Sequence, residues 1–128
     1  MVIPSASGGN TSDDLWVAGG VDPGALGTTH GIRMIRAGSV VGVSGNINVT
    51  GFVASGTTIV RIFINASNAL QTSISVTGAG RAGNQSTQAR GAFTFNAGDI
   101  LNVRVINVTP GDYVTENPIA TAEIQYDT

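Results

Sequence analysis

The sequence contains no cysteine and no lysine, a single histidine, and only seven aromatic residues among 128 positions. Without cysteine there are no disulfides and no thiolate metal sites. The six arginines are scattered, whereas nucleic-acid-binding proteins cluster basic residues among aromatics, so we expect no nucleic-acid partner. No apolar run reaches the roughly 18 residues of a membrane span, and the first residues lack the basic and apolar regions of a signal peptide.

Charge is also scarce, since only 11% of the residues are charged and the formal net charge is −2. The exposed surface must therefore be polar mainly through Ser, Thr, Asn and Gln. Such a surface is weakly protected against association. We interpret this composition as that of a chain that lies against other protein molecules, the alternative being an ordinary soluble domain.

Residues 1–30 differ from the rest because they are rich in glycine and show little periodicity. This composition predicts an extended N-terminal arm. Within it lies the segment DDLWV, whose Leu15, Trp16 and Val17 are the candidate partner-binding residues, because Trp is enriched at the centres of protein interfaces. Two alternatives stay open: this segment packs on its own domain, or it docks on a neighbouring subunit.

From Gly31 onward the pattern changes to a period of two, which is typical of β-strands. No segment has the period of an amphipathic helix. Residues 31–128 therefore predict an all-β fold, an antiparallel β-sandwich or jelly roll of about seven strands whose order stays open. The segment GAGRAGNQSTQ, residues 78–88, is interpreted as a loop. The predicted apolar faces are Val41, Val43, Ile47 and Val49; Val60, Ile62 and Ile64; Leu70, Ile74 and Val76; Phe93 and Phe95; Leu101, Val103 and Val105; and Ala120, Ala122, Ile124 and Tyr126.

Residues suited to catalysis are few. His30 is the only histidine, and no Gly-x-Ser-x-Gly elbow accompanies it. Asp13 and Asp14 lie in the arm, Asp99, Asp112 and Glu116 are spread over loops, and Glu123 lies on the polar face of the last strand. The spaced acidic loop of a calcium site is missing. We therefore predict no catalytic residues, no metal site and no cofactor, and hence a binding or structural module. A small hydrolase that uses His30 is the least favoured alternative.

The segment FNAGDILNVRV, residues 95–105, places an Asn-Ala-Gly-Asp sequence between two apolar runs. Gly98 supplies backbone freedom, and Asp side chains commonly accept hydrogen bonds from nearby backbone amides in turns. We therefore predict that Gly98 and Asp99 form a structural turn between two core strands, and that Asp99 is not a catalytic acid.

Three segments carry a resemblance to a known group of proteins: IRAGSVVGVSGNINV (35–49), TTIVRIFINASNAL (57–70) and FTFNAGDILNVRVI (93–106). Together they resemble the trimeric jelly-roll domains of the tumour-necrosis-factor and complement-globular-head type. The likeness is to the compact versions found in bacteriophage head-decoration, head-fibre and tail-fibre proteins. It covers roughly residues 31–128 and implies a homotrimer, with apolar side chains meeting near the threefold axis. It supplies no catalytic residues.

A short arm and one barrel, without a collagen-like or coiled-coil stalk, suit a capsid decoration (cement) protein better than a fibre. The expected function is thus a structural virion protein on the capsid surface, with the major capsid protein as partner and the arm as anchor. The alternative is a receptor- or carbohydrate-binding tip of a phage tail or fibre. That alternative would use Tyr113 and Tyr126 with Asp112, Glu116 and Asn117 as its sugar site.

Overall fold

The computed structural model describes residues 2–6, 10–11, 15–17, 31–107 and 112–128. These residues form eleven β-strands and no helix. The strands are β1 (Val2–Ala6), β2 (Asn10–Thr11), β3 (Leu15–Val17), β4 (Ile32–Arg33), β5 (Gly38–Thr50), β6 (Gly56–Ile64), β7 (Ser67–Val76), β8 (Gly80–Thr87), β9 (Thr94–Phe95), β10 (Ile100–Asn107) and β11 (Val114–Tyr126). All strand pairs are antiparallel.

Two sheets face each other as a β-sandwich, which confirms the predicted fold class. Sheet A has the order β1-β11-β5-β8, with β2 beside β11 and β9 beside β5. Sheet B has the order β3-β10-β6-β7, with β4 beside β10. From β4 onward the chain passes from one sheet to the other between β4 and β5, β5 and β6, β7 and β8, β9 and β10, and β10 and β11. These repeated crossings give the strand order of a jelly roll.

The core lies between the sheets and is built from the alternate positions that the sequence marks as apolar. Val60 and Ile62 of β6 are fully buried, as are Val105 of β10 and Ile124 of β11. The inward side chains of β6, β7, β10 and β11 match the predicted faces, and their outward neighbours are mostly polar. Burial of this apolar surface is the main stabilising contribution to the fold.

The predicted face of β5 is wrong at one position. Val41 is buried but lies outside the core cluster, whereas Val40 belongs to it. The register with β11 shifts here, since Glu123 is opposite Gly42 and Ile124 is opposite Val40. The extra residue is a β-bulge, which reverses the alternation of side chains along the strand.

A second register shift lies in β11 between Glu116 and Ile119. It contains Pro118, which has no amide hydrogen to donate to a neighbouring strand and is accommodated in central strands mainly at bulges. After the bulge, Ile119 is 46% exposed on the outer face and Ala120 is fully buried in the core. The bulge thus allows a proline inside a thirteen-residue central strand.

The interpretation of residues 78–88 as a loop is wrong. Gly80–Thr87 form β8, which pairs with β5 from Gly42 to Val49 without a register shift. Gly, Asn and Gln have low β-propensity, so the segment carries no strand pattern of its own. The hydrogen-bonding edge of β5 makes it a strand, because the main-chain groups of β5 need partners in that direction.

Candidate functional site

A shallow recess crosses the outer face of sheet A, where β5 runs between β8 and β11. It has two adjoining parts, of about 250 and 600 Å³, which share Ser44, Gln85 and Thr121. The lining residues that turn outward are Gly42, Ser44 and Asn46 on β5, Gly83, Gln85 and Thr87 on β8, and Ile119, Thr121 and Glu123 on β11. The recess exists because the middle strand carries small side chains between two strands with larger ones.

Glu123 is the charged group of this recess. Its side chain lies over Gly42, so that a Cβ on Gly42 would stand 3.1 Å from both Cβ and Oε2 of Glu123. The carboxylate therefore reaches from β11 toward β8 across a position with no side chain. With hydroxyls and amides on both sides, the recess offers hydrogen bonds to a neutral polar ligand and one acceptor of full negative charge.

The turn around Asp99 joins three parts of the chain. Asp99 Oδ2 accepts a hydrogen bond of 2.7 Å from the Asn96 amide, and Oδ1 accepts one of 2.7 Å from Asn65 Nδ2. Asn65 Oδ1 in turn accepts a bond from the Ile100 amide, and Met34 exchanges main-chain bonds with Asp99 and Gly98. The structure thus places Asp99 in a network that stabilises the corner.

The backbone and electrostatics of this corner agree with that role. Gly98 has a φ of +92°, a conformation that side-chain-bearing residues rarely adopt. The hydrogen bond from the Asn96 amide, and then the one from the Asn65 side chain, hold the pKa of the Asp99 carboxyl below its usual value. Asp99 is therefore an ionised hydrogen-bond acceptor at neutral pH.

The predicted anchor residues Leu15, Trp16 and Val17 form β3, whose backbone pairs with β10 of the same chain. Trp16 is opposite Arg104, and Val17 is opposite Val103. β1 likewise pairs with β11. The described parts of the predicted arm thus extend both sheets, while the domain boundary at residue 30 and the role of these residues in partner binding stay predictions.

The residues proposed for a sugar site do not come together. Tyr113 is 1% exposed, and its hydroxyl lies 2.7 Å from Thr58 Oγ1 inside the sandwich, so its ring cannot stack on a ligand. Tyr126 stands at the other end of β11, on the order of 40 Å away for thirteen extended residues. There its ring meets the edge of Phe95 and the guanidinium of Arg36. That site was predicted wrongly.

The remaining candidates for chemistry add no site. His30, Asp13 and Asp14 lie outside the described residues. Within the described ranges, no group of three or more His, Cys, Asp or Glu side chains is placed to hold a metal ion. A search of the same ranges finds no helix long and apolar enough to cross a membrane.

No model of a known protein family matches the sequence, and no curated protein does either. The candidate site therefore rests on geometry alone. Sequence reasoning placed Glu123 on the polar face of the last strand but missed the recess. The available signal was the small residues Gly42 and Ser44, which the predicted inward face of β5 already turns outward. The missing wall was β8, because residues 78–88 were interpreted as a loop.

Proposed function

We propose that this chain is a structural virion protein that decorates the outside of a bacteriophage capsid. In this role it binds the major capsid protein, as a homotrimer, and stabilises the shell through contacts of the sandwich and of the N-terminal arm. The observation that carries the proposal is the combination of a jelly roll with an outer surface that is polar but nearly uncharged. Such a surface associates with protein without strong charge repulsion.

The position of the arm strands supports this role. β1 and β3 are the outermost strands of sheets A and B at one side of the sandwich. Among the described strands each has a partner on one side only, and the other side of such a strand can add to a neighbouring chain. We propose that the segment Leu15–Val17 contacts the shell or a neighbouring subunit from there.

Electron microscopy of particles of the virus that encodes this chain tests the proposal. Recombinant chain labelled with gold is incubated with purified particles, and mass spectrometry measures its copy number relative to the major capsid protein. We expect label over the whole head and a copy number comparable with that of the lattice protein. Label confined to the tail, or a handful of copies per particle, would contradict a decoration role.

The variant Trp16→Ala tests the anchor separately. If Trp16 binds the shell, shell affinity falls by about tenfold or more, as expected for an interface tryptophan, while the melting temperature of the free protein is unchanged. If Trp16 only packs on its own chain, the melting temperature falls and the affinity stays the same. Ser75→Ala, at an exposed position of β7, is the control for both measurements.

The recess on sheet A favours a second candidate function, a receptor- or carbohydrate-binding tip. Its hydroxyls, amides and single carboxylate are groups that hydrogen-bond sugar hydroxyls, and Glu123 stands at one end of it. The described lining contains no aromatic side chain for stacking on a sugar ring. We therefore place this function second.

A glycan array separates the two functions. Binding that is lost in Glu123→Gln, because a neutral amide replaces the carboxylate acceptor, and kept in Gln125→Ala would favour the tip function. Gln125 is the matched control since it is exposed on the same strand two residues away and does not line the recess. No binding by the wild type leaves the decoration role as the better proposal.

A further inference from the structure

β8 leaves one long edge of sheet A open. It pairs with β5 along Gly80–Thr87, and none of the described strands pairs with its other side. Six of its eight residues are exposed. An open edge presents a row of main-chain N–H and C=O groups, and a further strand can satisfy them by antiparallel pairing.

β8 also lacks the features that usually keep edge strands apart. It contains no proline, lysine or carboxylate, and its register with β5 has no bulge. Its single charged residue is Arg81, which is exposed on the outer face. Eight residues of regular edge are long enough for a specific strand pairing.

We propose that β8 pairs antiparallel with β8 of a second copy, about a twofold axis at Asn84, in a contact separate from the threefold contact of the proposed homotrimer. In this register the outer faces of the two copies of sheet A lie on the same side, because residues directly opposite each other share a face. It sets Arg81 opposite Thr87, and Gly83 opposite Gln85. No like charges face each other, and the two copies of sheet A become one continuous sheet.

Charge complementarity across the edge favours a second copy as the occupant. The carboxylate of Glu123 lies over Gly42, and Gly42 is opposite Thr87 in the β5–β8 pair. In the proposed pair, Arg81 of the second copy is opposite that same Thr87, hence about 10 Å, or two strand spacings, from Gly42. An extended arginine side chain spans most of this distance, so each copy supplies Arg81 to Glu123 of the other.

Among the described residues, neither charge has an ion-pair partner within one copy. The Arg81 guanidinium donates to Asn46 Oδ1, at the long distance of 3.5 Å. The ion pair between Arg90 and Asp127 involves neither group. Arg81 and Glu123 are thus available for two symmetric ion pairs in the dimer.

Two substitutions at Thr87 test the register by charge. Thr87→Arg sets arginine opposite Arg81 of the second copy and weakens the dimer, by about tenfold or more for two close repulsive pairs. Thr87→Glu sets a carboxylate opposite Arg81 of the second copy, and this attraction tightens the dimer by about several-fold. Sedimentation equilibrium of the full-length chain over a dilution series gives the dissociation constants.

Within a single copy the two substitutions act in the opposite direction. Thr87 is opposite Gly42, over which the Glu123 carboxylate lies, so arginine at this position is attracted and glutamate is repelled. The melting temperature at low protein concentration therefore rises slightly for Thr87→Arg and falls slightly for Thr87→Glu. A change in dimer affinity then cannot come from a change in monomer stability.

Ser67→Arg is the control, since it adds the same charge at an exposed position at the start of β7, in the other sheet and away from Glu123. It leaves the dimer affinity unchanged. A protein that stays monomeric at every concentration would overturn the proposal. So would a dimer or trimer whose affinity is the same in both Thr87 variants. Loss of the β8 pair leaves the arm in place, so the shell-labelling experiment gives the same result whether or not the dimer forms.

Discussion

β5 and β8 lie side by side and share the same eight-residue ladder, yet they are strands for different reasons. β5 alternates apolar residues with small polar ones, and its inward side chains are buried in the core. β8 is made of Gly, Ala, Asn, Gln, Ser and Thr with a single Arg, and most of its residues are exposed. A buried strand is specified by what its side chains contact, whereas an edge strand needs only a neighbour with unpaired main-chain groups.

The largest expected difference between the two strands comes from side-chain truncation. Ile47→Ala in β5 removes a side chain that is 0% exposed and leaves a cavity, at an expected cost of about 2–5 kcal/mol. Gln85→Ala in β8, at an exposed position, changes stability by about 0.5 kcal/mol or less. Urea denaturation followed by circular dichroism measures both. Similar losses in the two variants would show that β8 contributes to the core.

A smaller difference in stability is expected between two glycine substitutions, one within β5 and one just before β8. A Cβ at Gly45 of β5 would stand 2.3 Å from Cγ2 of Val60, so Gly45→Ala forces the core to shift and costs about 1–3 kcal/mol. Gly78, just before β8, has nothing within 4 Å of an added Cβ, and Gly78→Ala is expected to be close to neutral. Thermal unfolding compares the two. An unchanged melting temperature for Gly45→Ala would mean that the two sheets can move apart at no cost.

The corner at Asp99 is stabilised in a third way, by hydrogen bonds at an exposed site. Asp99→Asn weakens the bonds from Asn96 and Asn65, at an expected cost of about 1 kcal/mol, reduced by competition from water. Because folding lowers the pKa of this carboxyl, its contribution is complete above the unfolded pKa of about 3.9. The contribution is lost as the pH falls through the lower folded pKa.

Measurements over a range of pH test whether the Asp99 contribution to stability is lost on acidification. The difference in unfolding free energy between wild type and Asp99→Asn should be constant from pH 7 to about pH 4 and should shrink below that, as the wild-type carboxyl takes up a proton. Asp127→Asn is the control, since Asp127 is an exposed carboxylate at 2.8 Å from Arg90, and surface ion pairs contribute about 0–1 kcal/mol. A difference that grows on acidification would contradict the assignment of Asp99 as an ionised acceptor.

Much of the fold could be predicted from the sequence because a half-buried strand leaves a period of two. The faces of β6, β7 and β10 follow directly from Ile62, Ile74 and Val103 and their alternate neighbours. The turn at Gly98 and Asp99 was also readable, since both residues have specific backbone roles. These features depend on residues that are close together in the chain, and the pattern therefore contains them.

The candidate site was less accessible to sequence reasoning. Tyr113 and Tyr126 were grouped by residue type, but burial and the length of β11 separate them. The recess instead depends on β8 as one wall, on β11 as the other, and on the registers that set Gly42 between Glu123 and Thr87. None of these is visible in a local pattern, because each arises from pairing between segments that are distant in the chain.

By itself the sequence determined that this protein is an all-β sandwich, which residues form most of its core, and that its surface is poor in charge. Hydrophobic periodicity and composition suffice for that, since burial acts on each strand separately. Tertiary structure decided the jelly-roll order, the bulges at Val41 and Pro118, and the existence of β8 with its open edge. Those depend mainly on main-chain hydrogen bonds between strands, which every residue type can accept and every type except proline can donate, so most of them leave no trace in the residue pattern.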